Sequence, residues 1–249
     1  MPRYKLTVAY DGTDYFGWQK QKERASIERA LFNAFTGVFR VDCSLLGASR
    51  TDAGVHALGQ VVRCETPIVL KPETLRHVWN RALPQSIVIR SLELVDDDFN
   101  PHAHVHNKTY YYHFFIRRPL PFLARYGWYV QRPINLDRLN QALALFQGTH
   151  DFRSFCAQGF HPKGTIRTID TISVSYLRRF DAYQISVTGK CFMRHMIRRI
   201  VGAALHSSYE DGVPLSEVQR VLLAKNPSHC LPTAPAQGLL LHSIRYEKT

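Results

Sequence analysis

Over residues 4–95 the spacing of apolar side chains switches repeatedly between two periods, and that order limits the fold more than any single residue does. Residues 4–10 alternate, which predicts a strand. Ser26 reads as an N-cap, and Ile27, Ala30, Leu31, Ala34 and Phe35 mark one face of a helix ending at Gly37. Strands are expected over 41–46 and 59–65. Pro72 opens a second helix, with Leu75, Val78 and Trp79 on one side, which stops near Leu83-Pro84. A strand over 86–95 completes the order β-α-β-β-α-β. Such a split unit makes an antiparallel sheet with both helices on one face.

The rest of the chain reads as a second layer of the same class. Residues 108–116 form a strand crowded with aromatics. Tyr110, Tyr112 and Phe114 lie on one face, and Tyr111, His113 and Phe115 on the other. One face can pack in a core, while the other, or its end, can stack on a base. Asn135 caps a helix carrying Leu136, Leu139, Leu143 and Phe146, closed by Gly148. Residues 149–155 read as irregular and 160–163 as an exposed loop. Strands are expected over 165–176 and 182–188. A long helix is expected from Gly189, with ridges Phe192, Met196, Ile200, Ala204 and Met193, Ile197, Val201, Leu205. A helix over 214–224, a small-residue turn over 234–238 and a strand over 239–246 close the chain. The expected fold class is α+β in two halves, 1–100 and 101–249, without a residue-level repeat between them.

Composition narrows the partners. Lys and Arg number 32 against 20 Asp and Glu, a net charge of +12. Such an excess favours a polyanion, most simply nucleic acid, although a generally basic surface gives the same count. No apolar run reaches the length of a membrane span. Neither terminus offers the basic amphipathic helix that a membrane surface would want. The opening Met-Pro-Arg-Tyr-Lys does not read as a signal peptide. Five scattered cysteines, never in C-x-x-C, suggest reduced thiols and a cytoplasmic setting.

The stretch Gly47-Ala48-Ser49-Arg50-Thr51-Asp52-Ala53-Gly54-Val55-His56-Ala57 joins two expected strands. Its small residues let the backbone bend and a ligand approach. Arg50 and Asp52 are two apart and in an extended loop project to the same side. A guanidinium beside a carboxylate keeps it ionised. A positioned, ionised Asp can act as a nucleophile or base. A surface hairpin tip with a weak ion pair is the plainer alternative.

Other constellations are weaker. His102, His104 and His106 alternate and would share one face of a strand, like a metal comb, but a metal site usually needs a carboxylate or further ligand nearby and a second shell. Phosphate contacts or plain surface histidines are the alternatives. His150, Asp151 and Ser154 tempt a triad reading, yet no G-x-S-x-G elbow is present. Arg194 and Arg198 lie one turn apart beside an apolar stripe, and Arg198 there needs an anionic partner. Walker A, G-x-G-x-x-G and H-E-x-x-H are all absent.

Taken together, several stretches resemble the tRNA pseudouridine synthase A family, the tRNA pseudouridine(38-40) synthases. They are Tyr10-Asp11-Gly12 with Gly17-Trp18-Gln19; Ser49-Arg50-Thr51-Asp52-Ala53-Gly54-Val55-His56-Ala57; and Lys108-Thr109-Tyr110 with Tyr112. Gly148-Thr149-His150-Asp151-Phe152, Phe192 with His195-Met196-Ile197-Arg198, Ile200-Val201-Gly202, and Ala234-Pro235-Ala236 with Gly238-Leu239 follow in the family's order. The resemblance implies isomerisation of uridine to pseudouridine in the tRNA anticodon stem-loop, at positions 38 to 40. It implies two ferredoxin-like halves sharing a continuous, mainly antiparallel sheet with a basic cleft between them. It also implies a homodimer that needs no cofactor or metal. Residue by residue, Asp52 matches the nucleophile and Arg198 the arginine paired with it. Tyr110 matches the tyrosine that stacks on the uracil, Arg50 the arginine that helps extrude the base, and Leu239 the apolar wall. His102 departs from the family, where Arg is common; a phosphate contact there becomes pH-dependent. The chemistry suits these residue types. Uracil must leave C1′, turn and rejoin through C5, and one carboxylate can hold the intermediate. Glycoside hydrolysis would want two carboxylates about the bond.

Overall fold

The computed structural model describes residues 1–159, 164–228 and 231–247; the loop expected over 160–163 lies outside them. The chain divides into two compact units, Met1–His106 with Leu240–Thr249, and Asn107–Leu239.

The first unit follows the predicted order: β1 (Arg3–Tyr10), α1 (Ile27–Phe39), β2 (Ser44–Gly47), β3 (His56–Glu65), α2 (Pro72–Ala82) and β4 (Ile87–Val95). β1 lies between β3 and β4, antiparallel to both. Its alternate residues Tyr4, Leu6, Val8 and Tyr10 are buried, as a strand covered on one face requires. The helices supply the cover. α1 buries Ile27, Leu31 and Phe35, and α2 buries Leu75 and Trp79, both at helical spacing. Each such side chain contributes roughly 2 kcal/mol by leaving water. The Phe35 and Trp79 rings meet edge-on at 4.8 Å, and the indole N–H donates to the Leu31 carbonyl at 3.1 Å. α1 runs two residues beyond the expected stop at Gly37. Phe39 packs on Phe35 at 4.7 Å, which offsets the cost of about 1 kcal/mol for glycine within a helix.

The second unit contains all but the first two residues of β5 (Val105–Phe115), then β6 (Trp128–Tyr129), α3 (Leu136–Ala144), β7 (Gly148–Asp151), β8 (Ile166–Ile169), β9 (Thr171–Leu177), β10 (Ala182–Gly189), α4 (Met196–Ser207) and α5 (Leu215–Ala224). β10 is antiparallel to β5 and to β9, and β6 adds to β5 in parallel. β7 and β8 form a separate two-stranded ladder. Tyr110, Tyr112 and Phe114 are buried on one face of β5, as the alternation predicts. Asn135 caps α3 by accepting from the Arg138 N–H at 2.9 Å.

Three expectations are corrected here. The strand over 165–176 is two strands: at the break, the Asp170 N–H donates to the Thr188 carbonyl at 2.8 Å. The irregular stretch 149–155 holds β7 and a single 3-10 turn at Arg153–Phe155. α4 begins at Met196 and not near Gly189, because His195 has φ +63°, a left-handed conformation that cannot propagate a right-handed helix.

The last strand, β11 (Leu239–Tyr246), brings residues 240–249 into the first unit, so the boundary is not a single cut near residue 100. Leu240 and Leu241 pair in parallel with His56 and Ala57 of β3. β2 occupies the same edge of β3 further along, from Val62 to Glu65. Gly59 permits this approach, since a Cβ there would meet the His242 carbonyl at 2.5 Å.

Candidate active site

The Asp52 loop leaves the sheet at the end of β2. The Ala48 N–H still donates to the Val61 carbonyl at 2.8 Å, and Ser49 then bonds to the Gln60 side chain. Thr51, also buried, shares a 2.7 Å hydrogen bond between its hydroxyl and that of Tyr10. Its carbonyl accepts from the Trp18 N–H at 3.1 Å. Arg50 is exposed and Asp52 half-buried. The Val55 N–H donates to the Asp52 carbonyl at 3.2 Å, closing a four-residue turn whose third residue, Gly54, has φ +77°.

The segment 10–18 packs against this loop from outside. Gly17 has φ +88°, and a Cβ on it would come within 2.6 Å of the Thr51 carbonyl oxygen. The Trp18 ring fills the space above Gly47, where any side chain would collide with the indole. The Gly54 N–H donates to the Tyr15 carbonyl at 3.2 Å. Beyond the turn, buried His56 accepts from the Gly12 N–H through Nδ1 at 3.1 Å, and the Asp11 carboxylate lies 3.2 Å from the same nitrogen. The sequence blocks Y-D-G, G-W-Q and R-T-D-A-G-V-H are therefore one packed object.

The second unit assembles the other recognised blocks. Arg198 stands in the first turn of α4. Its Nε donates to the Ala234 carbonyl at 2.9 Å, and the Ala234 N–H returns a bond to the Arg198 carbonyl at 3.0 Å. This pair fixes the plane of the guanidinium. Gly202, one turn on, leaves room for the chain at Pro232 and Ala234 to lie on the helix. The Tyr112 hydroxyl donates to the Pro235 carbonyl at 2.9 Å. Its ring lies against Gly238, next to buried Leu239. Burial pushes the Tyr112 phenol well above its ordinary range, against the opposing pull of Arg198. Tyr110 is buried, with the Phe192 ring edge-on at 5.4 Å. Lys108, two residues earlier, has its ammonium pKa lowered by burial.

The remaining candidates separate. His102, His104 and His106 are exposed. His104 has φ +54° and precedes β5, so the three do not share a strand face. Among the described residues no three His, Cys, Asp or Glu side chains are grouped to hold a metal. His150 Nε2 bonds to the Gln147 carbonyl at 2.9 Å, and Asp151 accepts from the Arg153 N–H at 3.1 Å; these are local turn contacts. Sequence reading missed Gln60, Thr51 and Tyr10 as holders of the loop. A polar residue among Val61, Val62 and Cys64 in a strand buried on both faces was the available signal. It also missed Arg199, which is buried and donates to the carbonyls of Ser154 and Cys156.

A family model described as tRNA pseudouridine synthase matches residues 6–102 and 142–247. A tRNA pseudouridine synthase A of Limosilactobacillus reuteri strain DSM 20016 is 36% identical over 99% of this chain and 97% of its own length. The enzymes of the same name from Pseudothermotoga lettingae and Streptococcus gordonii are 32% and 34% identical. They align over 99% and 100% of this chain, and in each case over 100% of the relative. Among the described residues no helix is long and apolar enough to cross a membrane. The chain belongs to the tRNA pseudouridine synthase family, isomerases that convert uridine to pseudouridine in tRNA.

Proposed function

We propose that the chain modifies uridines of the tRNA anticodon stem-loop, at positions 38 to 40, with Asp52 as the nucleophile. The reading rests on the family resemblance and on one observation. Thr51, the residue before Asp52, is buried and bonded through both its hydroxyl and its carbonyl, so the carboxylate is carried on a backbone with little freedom. Fixed placement of a reacting group is worth several kcal/mol of barrier.

In the reaction the bond from N1 to C1′ breaks. Asp52 holds the ribose or the base in a covalent adduct while the uracil turns; C5 then bonds to C1′, and the bond to Asp52 breaks to return the free carboxylate. The hydrogen on C5 is lost to solvent and N1 takes up a proton, so the balance closes without an added reactant. Arg50 helps extrude the base, at a cost of a few kcal/mol for unstacking. Tyr110 stacks on the uracil, and Leu239 helps keep water from the intermediate. Arg198 supports the ionised carboxylate. The net charge of +12 supplies phosphate affinity. The enzyme works in the cytoplasm as a homodimer.

Tritium release from a tRNA transcript labelled at uridine C5 tests the reading. Wild type is expected to release label and Asp52→Asn to bind tRNA without releasing it. Turnover by Asp52→Asn would overturn the nucleophile, and labelled sites outside the anticodon stem-loop would overturn the specificity.

A further inference from the structure

Building on the reading of Asp52 as nucleophile, we infer that Gln60 is a positioning residue for catalysis: its side-chain amide replaces a strand and holds the backbone from which the Asp52 loop springs. In the register of β2 with β3, Gly47 faces Val62, and Ala48 continues the ladder by donating to Val61. Ser49 would next face Gln60. There the chain must depart from the sheet to present Arg50 and Asp52, yet Ser49 is buried and its N–H and C=O still need partners. The Gln60 amide supplies both. Its Oε1 accepts from the Ser49 N–H at 3.2 Å, and its Nε2 donates to the Ser49 carbonyl at 2.5 Å.

Gln60 is fully buried. A primary amide is the side-chain group that carries a donor and an acceptor side by side, as a peptide does. Asn is one methylene short, and Glu when ionised offers acceptors alone. The anchor lies three residues before Asp52. The Tyr10 hydroxyl and Trp18 N–H take over two residues later at Thr51, leaving exposed Arg50 between two pinned neighbours. Release of one pin shifts the carboxylate relative to a base held elsewhere, and displacement of about 1 Å can cost about 100-fold in rate. Phosphate contacts are unaffected, so the loss falls on the chemical step.

Single-turnover tritium release, tRNA binding and thermal melting of wild type, Gln60→Leu, Gln60→Glu and Asp52→Asn decide the matter. Gln60→Leu is expected to bind tRNA as wild type does and to react about 100-fold more slowly. Gln60→Glu adds a test that a merely structural role does not move. A buried carboxyl is held towards its neutral form, and only that form donates to the Ser49 carbonyl. Its rate relative to wild type should therefore rise as pH falls from 8 to 6, at constant tRNA affinity. If Gln60→Leu does not fold, this pH ratio carries the test alone. Wild-type rates in Gln60→Leu, or a pH-independent ratio for Gln60→Glu, overturn the inference while Asp52→Asn stays inactive. Turnover by Asp52→Asn overturns the nucleophile reading itself, and the role of Gln60 with it.

Discussion

The hydroxyls of Tyr10 and Thr51 lie 2.7 Å apart, both side chains buried, and their bond ties the first strand to the residue preceding Asp52. Tyr10→Phe deletes one partner and strands the other. The expected cost is about 1–2 kcal/mol of stability, read from denaturant midpoints. Single-turnover pseudouridine formation should slow while tRNA affinity holds. Unchanged midpoint and rate together would show the bond to be dispensable.

Arg198 is oriented by its Nε bond to Ala234. Lysine keeps the charge but cannot reproduce a planar fork with one edge held by a carbonyl. Arg198→Lys should lower turnover at least about 10-fold, a barrier increase near 1.4 kcal/mol, with tRNA affinity nearly constant. Parallel loss of both would mark Arg198 as a phosphate contact instead.

Arg199, the next residue, has a structural task. Its buried guanidinium donates to the carbonyls of Ser154, Cys156 and Pro227, joining the 3-10 turn after β7 to the segment that follows α5. Bonds to a charged donor are worth about 1.5–3 kcal/mol. Arg199→Met should destabilise the protein by an amount in that range, yet retain activity below its lowered melting temperature. Equilibrium unfolding paired with a low-temperature assay checks both.

His242 gives the fold a dependence on pH. Burial, then Arg245 and Arg90, hold its imidazole pKa below the ordinary 6.5. Between the folded value and 6.5 the unfolded chain binds more protons, so stability rises with pH there and is lost as pH falls. Wild type should lose more stability than His242→Gln between about pH 7.5 and pH 5.5. Parallel losses would exclude His242 as the cause.

Much of this architecture could be read from local chemistry. Pro72 and Asn135 mark helix starts because backbone N–H groups at those points need a cap or a proline, whereas Ser26 stands at the N-cap position of α1 without its hydroxyl making the expected capping bond. The alternation of Tyr4, Leu6, Val8 and Tyr10 reports a sheet with one covered face. What escaped reading depends on backbone geometry or on distant partners. Phe192 and Met193 continue the apolar periodicity of α4 because they too pack inward, so period alone could not find the left-handed residue at His195. The split between β8 and β9 turns on a bond from Asp170 to Thr188. The motif R-T-D-A-G-V-H was legible as a small-residue loop that carries Arg50 and Asp52 between two strands. Its scaffold was not, since Gln60 and Tyr10 declare their purpose only once β3 and β1 are paired with their neighbours.

The pairing of Leu240 and Leu241 with His56 and Ala57 has a consequence for biosynthesis. On the ribosome the β-α-β-β-α-β segment emerges long before residues 239–246, and the edge of β3 that bears His56 waits open through the synthesis of the whole second unit. Contacts so remote in sequence slow folding, and an open strand edge invites foreign pairing. A nascent chain that terminates early leaves that edge uncovered four residues from Asp52. The surroundings of the Asp52 loop thus wait for a segment from far along the chain before β3 is fully paired.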